Sequence, residues 1–516
     1  MLPEFQSSPM LDYNRPEAEA GMREALERVR SKFGTTVPLV IGGKRITTQE
    51  TFQSKNPANP SECVGNFSKA TLEHVDQAVT AADRAFPAWS SIAPEERAEV
   101  LLRAAGLLRR RRHEINATMV LEVGKSWPEA DGDTAEAIDF CEFYAREMIR
   151  WGGSHPLVPN PGESNDLLYI PLGVGVVIPP WNFPCAIAMG MTAATVVTGN
   201  TAILKPSSDS PLTAWRVFEI LEEAGVPAGA LNFLPGPGGT IGDALVEHPR
   251  VRFVAFTGSM EVGIGINERA ARVPKGQIWL KRAVLEMGGK DFTILDEDAD
   301  LEAGVAGVYA GAFGFQGQKC SACSRAIVHE KLYDEFVERL GARTEKTTIG
   351  PTEKREMFLG PVVSASAEKK ILEYMEIGKR EGRLVSGGEK HSGPGYFLRP
   401  TVFADVKPDA RIAQEEIFGP VLAVTRASSF EEEVAIANGT IYGLTGAYYG
   451  RDRARIQEAK RRLHVGNLYI NRKCTGALVG IHPFGGFNMS GTDSKAGGRD
   501  YLGLFLQAKS IAEHLG

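Results

Sequence analysis

A series of short apolar, β-branched runs constrains this chain more than any other feature. They lie at 174–178, 201–204, 231–234 and 251–256, and each is followed by turn residues and a helix-like pattern, as at 211–224 and 240–247. Runs without polar alternation suit strands covered on both faces. The resulting βαβα order predicts an α/β fold with a parallel sheet and helices on both sides. A second alternating block follows Glu286, with apolar runs at 291–295 and 324–328 and helices at 301–313 and 332–340. At 516 residues the chain exceeds the size at which one core keeps growing, so two or three domains are expected.

The remaining segments are read more simply. The first thirty-odd residues form a leading extension, helical around 17–32. The segment 151–171 carries Pro and Gly and then Leu167-Leu-Tyr-Ile170, a pattern of a hairpin that leaves a domain and returns. Together with the apolar tail 501–506 it calls for a partner surface, so self-association is expected. A net charge of −6 argues against general nucleic-acid binding. The basic run Arg109–Arg112 ends an amphipathic pattern that starts at Pro94, and it reads as a solvated helix face. Six scattered cysteines make no disulfide framework, and no long apolar run or signal peptide is present. A soluble protein of a reducing cytoplasm is the expectation, with no membrane partner. No metal is expected either. His329 and Glu330 lack a second His at Tyr333, and Cys320-x-x-Cys323 lacks a second pair.

Candidate chemistry centres on Cys320, in Phe315-Gln-Gly-Gln-Lys-Cys-Ser-Ala-Cys-Ser-Arg325. Only a thiolate attacks, and Lys319 and Arg325 are expected to raise its fraction. Taken alone, such a cysteine equally suits a small buried hydrophobe. Asn182, in Pro179-Pro-Trp-Asn-Phe-Pro184, follows a strand and can offer its amide to an oxyanion. Phe256-Thr-Gly-Ser259 puts a strand, a cap and a helix start in order, an arrangement that aims backbone N–H groups at phosphate. No G-x-G-x-x-G fingerprint accompanies it, because Gly236-Pro-Gly-Gly-Thr-Ile-Gly242 has the wrong spacing. Glu286, in Glu286-Met-Gly-Gly-Lys290, is a candidate general base, and its paired glycines would let backbone approach a ligand. Gln414-Glu-Glu-Ile-Phe-Gly-Pro420 places acid and aromatic together before a turn.

In this order, and with Lys205-Pro-Ser and Pro483-Phe-Gly-Gly486, the motifs resemble those of the aldehyde dehydrogenase superfamily from about Pro38 to the C-terminus. The stretches 314–325, 276–282 and 473–480 resemble the branch that oxidises L-glutamate γ-semialdehyde to L-glutamate, the second step of proline catabolism. The resemblance implies an aldehyde dehydrogenase-like fold, with two parallel-sheet Rossmann-like domains and an oligomerisation hairpin. It implies that Cys320 attacks the aldehyde, that Asn182 and the Cys320 N–H hold the oxyanion, and that Glu286 activates the water that hydrolyses a thioester. The implied NAD contacts are Ile178, Pro180, Trp181, Lys205, Ser208, Gly238, Ser259, Glu416 and Phe418. Many NAD-preferring relatives carry Glu where this chain has Ser208, so use of NADP beside NAD is expected. The implied substrate contacts are Ser321, Gly476 and Ala477 for the carboxylate, Phe183 and Phe484 for the aliphatic chain, and Glu136 for the ammonium.

The expected division is a helical extension at 1–37, an NAD(P)-binding domain at 38–150 and 172–288, and a cysteine-bearing catalytic domain at 289–491. Segments 151–171 and 492–516 would serve a homodimer or a higher oligomer up to a hexamer. The rivals are another semialdehyde dehydrogenase of the superfamily and, from a different class, a thiol redox protein using Cys320 and Cys323.

Overall fold

A computed structural model describes residues 2–516. Its frame is two seven-stranded sheets. In the first, Arg282–Glu286, Val251–Thr257, Val174–Ile178, Thr201–Leu204 and Leu231–Phe233 lie side by side and parallel. Leu39–Ile41 and Lys44–Ile46 extend it antiparallel at one edge. Every residue of Thr201–Leu204 and Leu231–Phe233 is buried, which is why these strands read as mostly apolar runs without polar alternation. The second sheet runs Arg383–Ser386, Thr401–Ala404, Val421–Ala427, Arg325–His329, Phe292–Leu295, Thr445–Tyr449, Asn467–Ile470, parallel except at its first strand.

The helices between strands follow the same logic. Pro211–Ala224 starts on a proline, whose fixed φ suits a first turn, and stops at Gly225 in the left-handed region (φ 109°). Leu301–Phe313 starts at Asp300, whose carboxylate accepts from the Ala303 N–H. Met260–Ala271 is capped in the same way by Ser259. The expected 240–247 helix is instead a π-turn, Gly238–Gly242, leading into a short helix, Asp243–Glu247. Three glycines in five residues leave that turn without the packing that would hold an ordinary helix.

Three surface expectations are corrected. Arg109–Arg112 is exposed as expected at Arg109 and Arg110, but the run is not one face of one helix. Pro94–Arg110 ends there, Arg112–Val123 begins, Arg109 pairs with Glu142, Arg111 with Glu223, and Arg112 with the buried Asp131. The segment 151–171 does not fold back on itself. Its strand Glu163–Pro171 pairs antiparallel with the C-terminal strand Leu506–His514 over nine residues, making a two-stranded ribbon. The apolar tail 501–506 needs no outside partner at Tyr501, Leu502, Phe505 or Leu506, all buried within the chain. Tyr501 stacks on Tyr144 (5.5 Å, 13°), and Phe505 meets Phe253 edge-on at 5.3 Å. Among the described residues no helix is long and apolar enough to cross a membrane.

Candidate active site

Cys320 stands at the end of an unusual turn. After Leu301–Phe313, residues Phe315, Gln316 and Gly317 all take positive φ (50°, 57° and 66°). Two of the three are not glycine, so the turn costs energy and must be held from outside. Gln316 holds it, its amide donating to the carbonyls of Gly124 (3.0 Å) and Pro361 (2.8 Å). Gly317 is obligatory, because a Cβ there would overlap the Gly419 backbone. The turn lifts Cys320 clear of the helix while keeping it only partly exposed.

Asn182 comes to this loop from the first sheet, four residues beyond the strand Val174–Ile178. Its buried amide donates to the Gln318 carbonyl at 3.0 Å. An amide has two N–H donors, so one remains for an oxyanion. Glu286 ends the strand Arg282–Glu286 and lies on the other side. Its Oε1 accepts from the Ser494 hydroxyl, while Oε2 is buried without any protein partner. Burial pushes the Glu286 carboxyl up to about 8, with Ser494 and Lys495 pulling against it. The paired glycines after Glu286 make room within the chain itself. A Cβ on Gly288 would overlap the Glu416 carboxylate, and one on Gly289 would lie 2.5 Å from the Cys320 carbonyl oxygen. They admit the chain's own site residues.

The electrostatics overturn the expected thiolate activation. Burial raises the Cys320 thiol well above its ordinary value, and Asp291, Glu416 and Glu286 add to that; only the Ser321 N–H works the other way. Neither basic neighbour is turned toward the thiol. Lys319 Nζ pairs with Glu129 at 2.7 Å, and the Arg325 guanidinium is tied to the carbonyls of Lys290, Ile436 and Ala437. Cys323 is buried, its thiol donating to Thr293 Oγ1 at 3.2 Å, so it sits beneath the loop rather than beside a substrate.

The carboxyl ends of Val174–Ile178, Thr201–Leu204 and Val251–Thr257 lie together at one edge of the sheet, the usual position of the ligand crevice in a parallel sheet. Ile178, Pro180 and Trp181 are half-buried along it, and the Trp181 ring meets Phe418 edge-on at 5.4 Å. Lys205 is buried, its ammonium bonded only to the Pro206 carbonyl, and burial lowers it to about 8. Its stem lies under Gly242, at the end of the turn begun by Gly238, where an added Cβ would meet nothing within 4 Å. Ser208 and Ser259 are exposed nearby in sequence to these strand ends. Glu416 faces the crevice from the second sheet's side and accepts from the Gly289 N–H at 3.0 Å. An open glycine turn, an under-bonded buried lysine and a capped helix start fit a dinucleotide's phosphates and ribose.

At the substrate end, Gly476 is left-handed (φ 83°) and the Arg472 guanidinium holds the carbonyls of Thr475 (3.1 Å) and Gly476 (2.9 Å). With those carbonyls engaged, the N–H groups of Gly476 and Ala477 donate to no acceptor among the described residues, which is the makeup of an anion nest. The turn abuts the nucleophile, since Cys474 Sγ donates to the Ser321 carbonyl at 3.4 Å. Phe183 packs at 6.5 Å on Phe315, and Phe484 is half-buried and joined through its backbone to Ala496. Glu136 lies on the long helix Trp127–Gly152, and burial followed by Asp133 pushes it up to about 8.

The aldehyde dehydrogenase family model matches residues 45–511. The chain belongs to the aldehyde dehydrogenase family. It is 55% identical over 513 residues to a 1-pyrroline-5-carboxylate dehydrogenase of Geobacillus sp. (strain WCH70), covering 99% of this chain and 100% of the relative. It is 54% identical over 513 residues to the enzyme of that name from Geobacillus thermodenitrificans, with the same coverage. Its fold is similar, with a TM-score of 0.98 and 52% identity over 99% of both chains, to a Thermus 1-pyrroline-5-carboxylate dehydrogenase solved with bound NAD.

Sequence reasoning missed several groups of this aldehyde dehydrogenase's site. Lys125 and Asp133 are fully buried and paired at 2.8 Å. Asp133 also accepts from the Ala186 N–H at 2.6 Å, fixing the segment that carries Asn182 and Phe183, and Lys125 lies 3.9 Å from the Phe183 ring centre. The signal for Asp133 was available, because a charged residue on the inner face of an amphipathic helix needs a partner; Lys125 lies in the short link before that helix. Glu129, Asp291, Gln316 and Ser494 carried no local signal, since their partners lie far away in sequence.

Proposed function

We propose that the chain oxidises L-glutamate γ-semialdehyde, the open form of 1-pyrroline-5-carboxylate, to L-glutamate by covalent cysteine catalysis with NAD. The observation that carries this reading is the free Gly476 and Ala477 N–H pair set against the Cys320 loop, with Glu136 on the helix Trp127–Gly152. That combination suits an aldehyde bearing an α-carboxylate and an α-ammonium. The relatives' shared name supports it.

Cys320 Sγ adds to the aldehyde carbon as its proton passes to solvent water, which leaves Glu286, at about 8, free to act as base in the later hydrolysis near neutral pH. The remaining Asn182 N–H and the Cys320 N–H meet the oxyanion. Bound NAD would accept hydride from the adduct, leaving a thioester on Cys320. Glu286 Oε2, which has no protein partner, takes a proton from water as the water attacks that thioester, and Cys320 leaves. Lys205, Ser208, Gly238 and Ser259 would hold the adenosine and pyrophosphate. Ile178, Pro180, Trp181, Glu416 and Phe418 would line the nicotinamide end.

The same reading makes 38–150 and 172–288 the cofactor domain and 289–491 the catalytic domain, with 1–37 a separate extension. The ribbon, with Leu168 exposed on it, would join copies into a homodimer or a larger assembly up to a hexamer. Six free thiols suit a cytoplasmic setting. The test is NADH formation from glutamate semialdehyde by the wild type, Cys320→Ala and Glu286→Gln. Cys320→Ala should give no turnover, and Glu286→Gln should give one fast equivalent of NADH and then slow release. Equal steady rates in all three would refute the mechanism, and equal activity on succinate semialdehyde would move the substrate to a rival member of the superfamily.

A further inference from the structure

Residues 2–14 form neither helix nor strand, yet they are fastened along the helix Trp127–Gly152 like a strap. The fastening is specific. Arg146 donates to the Pro3 carbonyl (3.0 Å), the Ser8 N–H to Asp139 (2.7 Å), and the Leu11 N–H to Asp131 (2.7 Å). Arg112 adds a bond to the Pro9 carbonyl at 2.9 Å, and Tyr13 meets Trp127 edge-on at 5.2 Å while its hydroxyl accepts from Asn116. The strap therefore runs antiparallel to the helix, and the helix supplies two carboxylates to backbone donors that a loop would leave to water. The same helix carries Glu129, Asp133 and Glu136 toward the candidate site.

The strap also reaches the anchor turn. Phe5 packs edge-on against Phe143 (5.3 Å, 72°). A Cβ on Gly480 would lie 2.9 Å from Phe143 and 3.1 Å from the Phe5 ring, so both rings close over the last residue of the 473–480 turn. From below, the Gly480 N–H donates to the Gly497 carbonyl, and the Gly497 N–H donates to the Tyr144 hydroxyl, each at 2.9 Å. The end of the turn is thus clamped between the strap and the long helix, while its other end touches Ser321 through Cys474.

We propose that this N-terminal strap is part of the substrate-recognition apparatus, with Phe5 a positioning residue that fixes the Gly476 and Ala477 N–H groups at the distance from Cys320 that a carboxylate-bearing aldehyde requires. This rests on the functional reading above. Positional errors near 1 Å at a recognition site cost on the order of a hundredfold, so loosening one end of a short turn is expected to be measurable.

The test compares wild type, Phe5→Ala, Phe5→Leu and a deletion of residues 2–7, using glutamate semialdehyde and propanal, an aldehyde with no carboxylate. Phe5→Ala should raise KM for glutamate semialdehyde about tenfold or more and leave kcat, KM for NAD and kcat/KM for propanal within about twofold. Phe5→Leu, which keeps apolar bulk over Gly480, should recover most of the loss, and hydrogen exchange at 474–480 should quicken in Phe5→Ala and in the deletion but not in Phe5→Leu. Unchanged KM values, or equal losses on both aldehydes, would overturn the proposal, whatever happens to Tm. If the deletion fails to fold, Phe5→Ala decides by the same criteria. Wild type inactive on glutamate semialdehyde would strike the functional reading instead.

Discussion

The most informative perturbation is Ser494→Ala, because it touches the general base without touching the nucleophile. The Ser494 hydroxyl donates to Glu286 Oε1, so it favours the ionised carboxylate and holds its pKa down. Glu286 is already raised to about 8 by burial. A hydrogen bond to a charged group is worth about 1.5–3 kcal/mol, and one pKa unit corresponds to about 1.4 kcal/mol. Losing the hydroxyl should therefore raise the carboxyl by about one to two further units. Ionised Glu286 drives thioester hydrolysis, so at pH 7 that step should slow by about ten- to a hundredfold and recover as the pH is raised. Stopped-flow NADH formation separates the steps: the first turnover should stay fast, and the steady rate should fall with its acidic limb displaced to higher pH. Ser494→Thr, which keeps the hydroxyl, should behave like wild type. An intact burst with an undisplaced steady-state profile would show that Ser494 does not tune Glu286.

Glu136→Gln should raise KM for glutamate semialdehyde about tenfold, since a bound ammonium draws Glu136 to its ionised form and the variant lacks that charge, with little change for propanal; equal changes on both would remove Glu136 from substrate recognition. The exposed Ser208 presents no charge to a 2′-phosphate, so kcat/KM for NAD should exceed that for NADP by less than about a thousandfold; a larger ratio would mean that other groups exclude the phosphate. Lys125→Met should strand Asp133 as an unpaired buried charge and lower stability by about 3–5 kcal/mol, read by urea unfolding; a loss under about 1 kcal/mol would mean that Asp133 is neutral in the folded protein.

The parallel sheets were legible because strands buried on both faces leave mostly apolar runs without polar alternation, and the helix 301–313 could be placed because an Asp cap precedes it and glycines follow. Cys320, Asn182 and Glu286 stood out through their motifs. What sequence could not give was direction. Lys319 is next to Cys320 in the chain, yet its ammonium is drawn to Glu129, 190 residues away. Ser494 lies 208 residues from the carboxylate it holds. The tail 501–506 looked sticky because its cover, Tyr144 and Phe253, comes from elements distant in sequence. Adjacency in sequence predicts contact only within one element, and this site is assembled from the ends of many.

The charge distribution around Cys320 gives these facts a common sense. A thiol flanked by free cations would sit as a thiolate at all times, open to oxidation whenever the site is empty. Here the nearby cations are engaged by Glu129 and by backbone carbonyls, and the groups that act on the thiol are burial and three acids. The resting nucleophile is therefore a neutral thiol, and Glu286 is held close to the pH at which it can accept a proton from the hydrolytic water. Anything that adds positive charge to the crevice lowers both pKa values together, because both groups lie in that charge's field. Activation then follows occupancy of the site, and the reactive form arises when there is something to react with.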